Sequence, residues 1–83
     1  MKITSRGANC TEVETKDGRF LVSYKTPVAY KDTSVYAYDE VLVTDTKHSV
    51  TTSKHISAWL KDHSYSKVVP TAQESLNRLF NQV

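Results

Sequence analysis

The chain has 83 residues, of which 39% are hydrophobic and 24% charged, and its formal net charge is +2 at pH 7. That length predicts one domain over residues 1–83, small enough that assembly into a homo-oligomer would be a natural source of extra stability. Cys10 is the single cysteine, which excludes an internal disulfide, and the sequence has no long apolar run or secretory signal, so we expect a soluble intracellular protein without a membrane partner.

The clearest structural signal is a β-hairpin. Two alternating runs flank Asp17-Gly18, a dipeptide typical of a two-residue hairpin turn. Around this turn Thr15 would oppose Phe20, and Val13 would oppose Val22, which gives one buried face. The opposite face is mostly polar and is predicted to meet solvent; it includes Cys10, Glu12 and Glu14.

The other strand signals are weaker. Residues 1–9 predict a short edge strand or a frayed end. Pro27 cannot donate to a ladder, so we expect a bulge or an edge position there. Residues 35–44 are β-branched and aromatic, which predicts one bent strand or two short strands broken at Asp39-Glu40. Together these segments predict three to five antiparallel strands.

A first helix follows the strands. Ile56, Trp59 and Leu60 recur at helical spacing, so a helix starting near Thr52 would turn one stripe toward a core. Three hydroxyl residues compete for its N-cap, and no acidic residue lies nearby to complement the helix dipole. The segment is therefore either an ordinary cap or a site for an anion or phosphate. The candidate anion-binding residues are Thr51, Thr52, Ser53, Lys54 and His55.

A second helix is predicted at the end of the chain. Thr71-Ala72-Gln73-Glu74 matches the capping box, in which the first and fourth residues cap the helix reciprocally. An apolar stripe follows at helical spacing and comprises Ala72, Leu76, Leu79, Phe80 and Val83. The predicted fold class is therefore α+β, with a small antiparallel sheet of three to five strands followed by two amphipathic helices.

No catalytic or metal-binding pattern is present. His48, His55 and His63 are separated by spacings that match no zinc motif. Cys10 lies in a predicted strand without a helix N-terminus to activate it, so a structural thiol is the better interpretation. The carboxylates of the hairpin have basic neighbours, and no glycine-rich phosphate loop exists. We therefore expect a protein that is not an enzyme and uses no metal or cofactor.

A binding surface is the remaining possibility. From Lys47 to Lys67 four lysines stand against one acidic residue, Asp62, and such an excess attracts acidic surfaces or polyanions, although it is more often a solvated face. Tyrosines on a sheet serve as core residues, as protein interface residues or as stacking surfaces for single-stranded nucleic acid. The candidate interface residues are Lys47, Lys61, Tyr30, Tyr36 and Tyr38.

Two segments carry a family resemblance. They are Val22-Ser23-Tyr24-Lys25-Thr26-Pro27-Val28-Ala29-Tyr30 and His48-Ser49-Val50-Thr51-Thr52-Ser53-Lys54-His55-Ile56, the second followed by Trp59-Leu60. They resemble an uncharacterised family of small bacteriophage-encoded proteins in which S-Y-x-T-P-V-A precedes S-x-T-T-S-(K or R)-H-I. The resemblance spans Thr11 to Leu60. It implies a phage origin and a location in the host cytoplasm, and it carries over no catalytic residue.

Two hypotheses of different classes follow. In the first, the chain binds and inhibits or redirects a host protein complex, for example an antiviral defence complex such as CRISPR-Cas, through its lysine-rich helix and tyrosines. In the second, it is a small nucleic-acid-binding accessory protein with a phosphate held at Thr51 to Lys54 and bases stacked on the sheet. The absence of arginine near the first helix favours the first hypothesis, because arginine is the better reader of phosphates and bases.

Overall fold

The computed structural model describes residues 1–34 and 39–83. Within these residues, six strands form one sheet in the order β1-β2-β3-β4-β5-β6. Every neighbouring pair is antiparallel except β5 and β6, which are parallel. The elements in chain order are β1 (Lys2–Ser5), β2 (Cys10–Glu14), β3 (Gly18–Ser23), β4 (Thr26–Asp32), β5 (Glu40–Thr44), α1 (Val50–Asp62), β6 (Lys67–Thr71) and α2 (Gln73–Asn81).

The chain is α+β, but the predicted sheet of three to five antiparallel strands followed by two helices is wrong. The described sheet has six strands and is mixed, because β6 lies between the two helices and pairs in parallel with β5. Parallel neighbours need a long crossover connection, and α1 provides it. β6 gave little sequence signal because it is short and contains Pro70, which an edge strand tolerates.

The β2–β3 hairpin forms, but its predicted register is displaced by two residues. Val13 opposes Phe20 instead of Val22, and the two loop residues are Lys16 and Asp17. Gly18 is the first residue of β3, where an added Cβ would overlap the ring of Tyr30. This glycine is therefore required by the close approach of Tyr30. A shift of two residues keeps each side chain on its predicted face.

Both faces of the sheet are covered, so the prediction of a solvated hairpin face is wrong. Leu21 and Phe20 are neighbours in β3 and point to opposite faces, yet both are buried. The core on the α1 side consists of Cys10, Leu21, Val28, Ala29, Val41, Val43 and Trp59. The core on the α2 side consists of Val13, Phe20 and Val22, with Tyr30, Leu79 and Phe80 packed against it.

The bulge predicted near Pro27 is confirmed. Leu21 pairs with Ala29 but Val22 pairs with Pro27, so Val28 is the extra residue of β4. The Pro27 carbonyl accepts a hydrogen bond from the Gln73 side chain at 2.7 Å. The irregularity in the sheet therefore also holds the start of α2.

The predicted helix starts need correction. α1 is capped by Ser49, whose side chain accepts from the Thr52 amide, so the cap lies before the predicted residues 51–53. The predicted capping box of α2 is absent, because Thr71 still belongs to β6 and Ala72 takes the cap position without a side-chain bond. Among the described residues, neither helix has the length and apolar character that crossing a membrane requires.

Candidate functional site

The candidate site is the solvent-facing side of α1, which we call the outer face of α1. Its residues are exposed and recur every three or four positions, with two adjacent pairs among them, so they lie on one broad side of the helix. They are Val50, Thr51, Lys54, Ser57, Ala58 and Lys61. The opposite side of the helix carries Thr52 and Trp59, which are buried against the sheet. The outer face thus presents small side chains bracketed by two lysines.

The charge on this face is unopposed. Lys54 and Lys61 are seven residues apart, which is about 10 Å along a helix axis. The first turn of α1 contains no acidic residue, and Asp62 at its far end is paired with Arg6 of the β1–β2 connection. Within residues 1–34 and 39–83 neither lysine forms a salt bridge. The two ammonium groups are therefore available to an outside partner.

Beneath the N-terminal end of the helix, a hydrogen-bonded cluster joins α1 to β3. Thr52 is 5% exposed, and its hydroxyl lies 3.0 Å from the hydroxyl of Ser23, which is 2% exposed. His55 Nδ1 lies 2.8 Å from the same Ser23 oxygen. A serine and histidine at this distance resemble a nucleophile and its base, but a serine so deeply buried meets no substrate. The cluster instead holds the first turns of α1 on the sheet.

This cluster divides the predicted anion-binding residues. Thr52 and His55 turn inward to Ser23, whereas Thr51, Ser53 and Lys54 are exposed. The structure therefore does not bring the five residues together around one point. Binding of an anion by the exposed subset stays a prediction.

Beneath the C-terminal end of the helix, Glu12 joins α1 to β2. One carboxylate oxygen of Glu12 accepts from Trp59 Nε1 at 2.7 Å and contacts His63 Nε2 at 2.6 Å. Since a carboxylate can only accept, the Nε2 atom of His63 carries the proton. Burial acts to raise the pKa of Glu12, but the hydrogen bonds from Trp59 and His63 outweigh it and leave the pKa below its usual value.

The network continues from His63 to β3. The rings of His63 and Tyr65 stack at 5.0 Å with an interplanar angle of 14°. The Tyr65 hydroxyl accepts from Arg19 at 3.1 Å, and Arg19 also donates to Glu14 at 3.1 Å. These two hydrogen bonds raise the pKa of Arg19. Because the partners come from β2, β3 and the turn after α1, the end of the helix is held in one position.

The thiol of Cys10 belongs to the same side of the sheet. It is 4% exposed and packs in the core beneath α1. Burial raises its pKa, and Arg6 opposes that effect only in part. A buried thiol with a raised pKa is a poor nucleophile, which agrees with its interpretation as a structural residue.

The predicted interface residues are distributed over different parts of the molecule. Lys47 is exposed just before α1, and Lys61 belongs to the outer face. Tyr30 lies on the α2 side of the sheet, with its ring 4.5 Å from that of Phe20, and burial raises its pKa. Tyr30 is thus separated from Lys61 by the sheet and is half-buried against the core on the α2 side. Tyr36 and Tyr38 lie outside the described residues.

The three histidines have separate partners. His48 contacts Gln73 at 3.0 Å, His55 contacts Ser23, and His63 contacts Glu12. In the part of the chain that the structure describes, no group of three or more potential ligands is placed to hold a metal ion.

Sequence reasoning missed the inward-facing residues that position α1. Glu12 and Ser23 alternate with apolar residues, a pattern typical of a solvated strand face. The helical residues that contact them are 29 or more positions away in the sequence. The single available signal was Trp59, whose indole N–H needs a partner when it is buried.

Comparison with known proteins gives a family but no activity. A family model described as a family of unknown function, DUF8033, matches residues 1–77. That range is wider than the resemblance from Thr11 to Leu60, since it also includes β1, β6 and the first half of α2. No curated protein and no solved structure matches the chain. The chain therefore belongs to the DUF8033 family, a family of unknown function.

Proposed function

We propose that this chain is a non-enzymatic binding protein that docks the outer face of α1 on an acidic surface of a partner protein. The observation that carries the proposal is the pair Lys54 and Lys61, two turns apart on an exposed face and without salt bridges in the described structure. Unopposed charge of one sign on a surface accelerates and orients the encounter with a surface of the opposite sign.

The side chains between the two lysines suit close contact. Ser57 and Ala58 are small and exposed, so the backbone of a partner can approach the helix without displacing long side chains. A partner with carboxylates about 10 Å apart would meet both ammonium groups at once. The expected interface is therefore flat in the middle and charged at both ends.

The helix is also pre-organised for binding. Ser23 holds its first turns through Thr52 and His55. Glu12 holds its last turn through Trp59 and His63. A surface that is ordered before binding loses less conformational entropy when the complex forms. Two fixed ends thus support a rigid recognition surface.

The identity of the partner is proposed from the resemblance to phage-encoded proteins. We propose that the partner is a host protein complex in the host cytoplasm, such as an antiviral defence complex of the CRISPR-Cas kind, which the chain inhibits or redirects. Nucleic acid is the alternative partner. Tyr30 offers little to stacking on bases because it is packed against Phe20, so the protein partner is preferred.

The test is capture of partners from host lysate with a tagged chain, with and without nuclease. Lys54→Glu and Lys61→Glu are compared with Lys16→Glu, which makes the same charge change at an exposed lysine of the β2–β3 loop. Each outer-face reversal should weaken binding of a purified partner by on the order of 1 kcal/mol, or about fivefold, and the loss should shrink at high salt. Equal effects of all three variants, or capture that disappears with nuclease, would contradict the proposal.

A further inference from the structure

The two edges of the sheet differ in how they are protected. β6 forms one edge and contains Pro70, which cannot donate to a ladder and discourages pairing with another strand. β1 forms the other edge, and all of its residues are exposed. It contains no proline, and its pairing with β2 runs without a register shift. β1 is therefore a regular strand with an open side.

The direction of the backbone groups on β1 follows from its last hydrogen bond. The Arg6 amide donates to the Cys10 carbonyl at 2.8 Å, so the N–H of Arg6 points toward β2. In an antiparallel pair this direction alternates from residue to residue. Thr4 consequently bonds to β2, whereas the N–H and C=O groups of Ile3 and Ser5 point away from the sheet.

The hydrogen bonds between β2 and β3 also show that the backbone groups of Ile3 point away from the sheet. Thr15 donates to the Gly18 carbonyl at 2.7 Å across the β2–β3 hairpin. Counting back along β2 in steps of two, the odd-numbered residues bond to β3 and the even-numbered residues, including Glu12, bond to β1. Glu12 is paired with Thr4, which again leaves Ile3 with outward-pointing backbone groups.

The apolar side chains on the α2 side of the sheet also point to Ile3 as the place where a second strand would bind. On the α2 side of the sheet, Phe20 lies opposite Val13, and Val13 lies opposite Ile3. Phe20 is 1% exposed and Val13 is 6% exposed, but Ile3 is 67% exposed. An apolar row of the core thus continues to the open edge and ends there at a side chain in solvent.

We propose that β1 pairs with β1 of a second copy of this chain in antiparallel orientation, with the two Ile3 residues directly opposite each other. Each Ile3 then exchanges two backbone hydrogen bonds with its counterpart, because both present outward N–H and C=O groups. The paired isoleucine side chains extend the apolar row into the second copy. Two six-stranded sheets become one continuous sheet.

Charge selects this register among those that the backbone permits. If one β1 strand is shifted by one residue relative to the other, the outward-pointing N–H and C=O groups of one copy face residues of the second copy whose groups point toward β2, and no ladder forms. A register centred on Lys2 opposes two lysines, and one centred on Thr4 places Lys2 against Arg6 of the other copy. Like charges directly opposite are destabilising. The register centred on Ile3 places Lys2 against Thr4 and avoids both conflicts.

The symmetry of the pair has a consequence for binding. Directly opposite residues of an antiparallel pair share one face of the sheet, so the two-fold axis is perpendicular to the sheet. Both α1 helices then lie on the same side of the continuous sheet. The dimer would present two outer faces in one direction, which suits a partner with repeated sites.

The first test is sedimentation equilibrium of the full chain. The unmodified chain should show a dimer with twice the 9.4 kDa mass of one chain. Ile3→Lys places two lysines opposite each other and should raise the dissociation constant at least roughly tenfold. The control is Val50→Lys, at an equally exposed apolar position on α1, which should leave it unchanged. A monomer at all concentrations up to roughly 1 mM, or equal effects of both variants, would overturn the proposal.

The second test fixes the register. Opposite residues of a hydrogen-bonded antiparallel pair have Cα atoms about 5.5 Å apart, within reach of a disulfide. Ile3→Cys should therefore form a covalent dimer under mild oxidation, while Thr4→Cys, opposite Lys2, should not. Cys10 is 4% exposed and does not compete. Equal cross-linking at both positions would refute the register, and circular dichroism confirms that each variant is folded.

Discussion

Replacement of Glu12 with alanine tests whether the buried carboxylate holds α1 in place. Trp59 and His63 both bond to one oxygen of Glu12, whose side chain is 14% exposed. Hydrogen bonds to a charged group are worth about 1.5–3 kcal/mol each, and a buried donor left without a partner adds about 1–3 kcal/mol. Since Trp59 is fully buried, we expect Glu12→Ala to lower the free energy of unfolding by about 3 kcal/mol.

The assay is urea denaturation at pH 7, followed by the fluorescence of Trp59, the single tryptophan. The matched control is Glu14→Ala, two positions along the same strand on the same face, where the carboxylate is 42% exposed and paired with Arg19. That variant should lose no more than about 1 kcal/mol. A loss below about 1 kcal/mol in Glu12→Ala, or losses equal in the two variants, would refute the assignment of Glu12 as the residue that holds the helix.

Three further predictions concern stability. The pKa of Glu12 lies below the ordinary 4.5 in the folded chain, so its stabilising contribution is complete above that value and is lost as the pH falls through the folded pKa. When stability is followed by circular dichroism during acid titration, Glu12→Gln should therefore lose less stability between neutral and acidic pH than the unmodified chain. Gly18→Ala should lower the free energy of unfolding by about 1–3 kcal/mol because the added Cβ meets Tyr30; in a Tyr30→Ala background, urea denaturation should show that this loss has disappeared. Because Ser49 is the N-cap of α1, Ser49→Ala should lower the free energy of unfolding by about 1 kcal/mol in urea denaturation. Thr51→Ala should change it by no more than about 0.5 kcal/mol, and a larger loss in Thr51→Ala than in Ser49→Ala would contradict the observed cap.

Local patterns predicted the elements that local interactions define. The β2–β3 hairpin, the bulge at Pro27 and the apolar stripe of α1 all follow from residues close together in the sequence. The hairpin register was displaced because Gly18 looked like a turn residue. Its small size instead serves Tyr30, which approaches from the next strand. A glycine required by tertiary packing cannot be told from a turn glycine in sequence alone.

The sequence predicted the positive charge of the candidate site, but it did not predict the buried residues that hold α1 on the sheet. Lys54 and Lys61 stood out because acidic residues are scarce around them. Glu12 and Ser23 did not, because the contacts that engage them cross 47 and 29 positions of the sequence. Their burial depends on which face of the sheet the helix covers, and alternation along one strand does not contain that information.

The sequence by itself determined an α+β domain with a lysine-rich helix, since periodicity, turn residues and charge counts act over a few positions. Only the tertiary structure decided that β6 returns to pair with β5, that a helix lies on each face of the sheet, and that Lys2–Ser5 form an ordered edge strand and not a frayed segment. These features depend on contacts between distant segments. Each of them is stabilised by buried apolar surface and by backbone hydrogen bonds between segments, which one segment cannot form by itself.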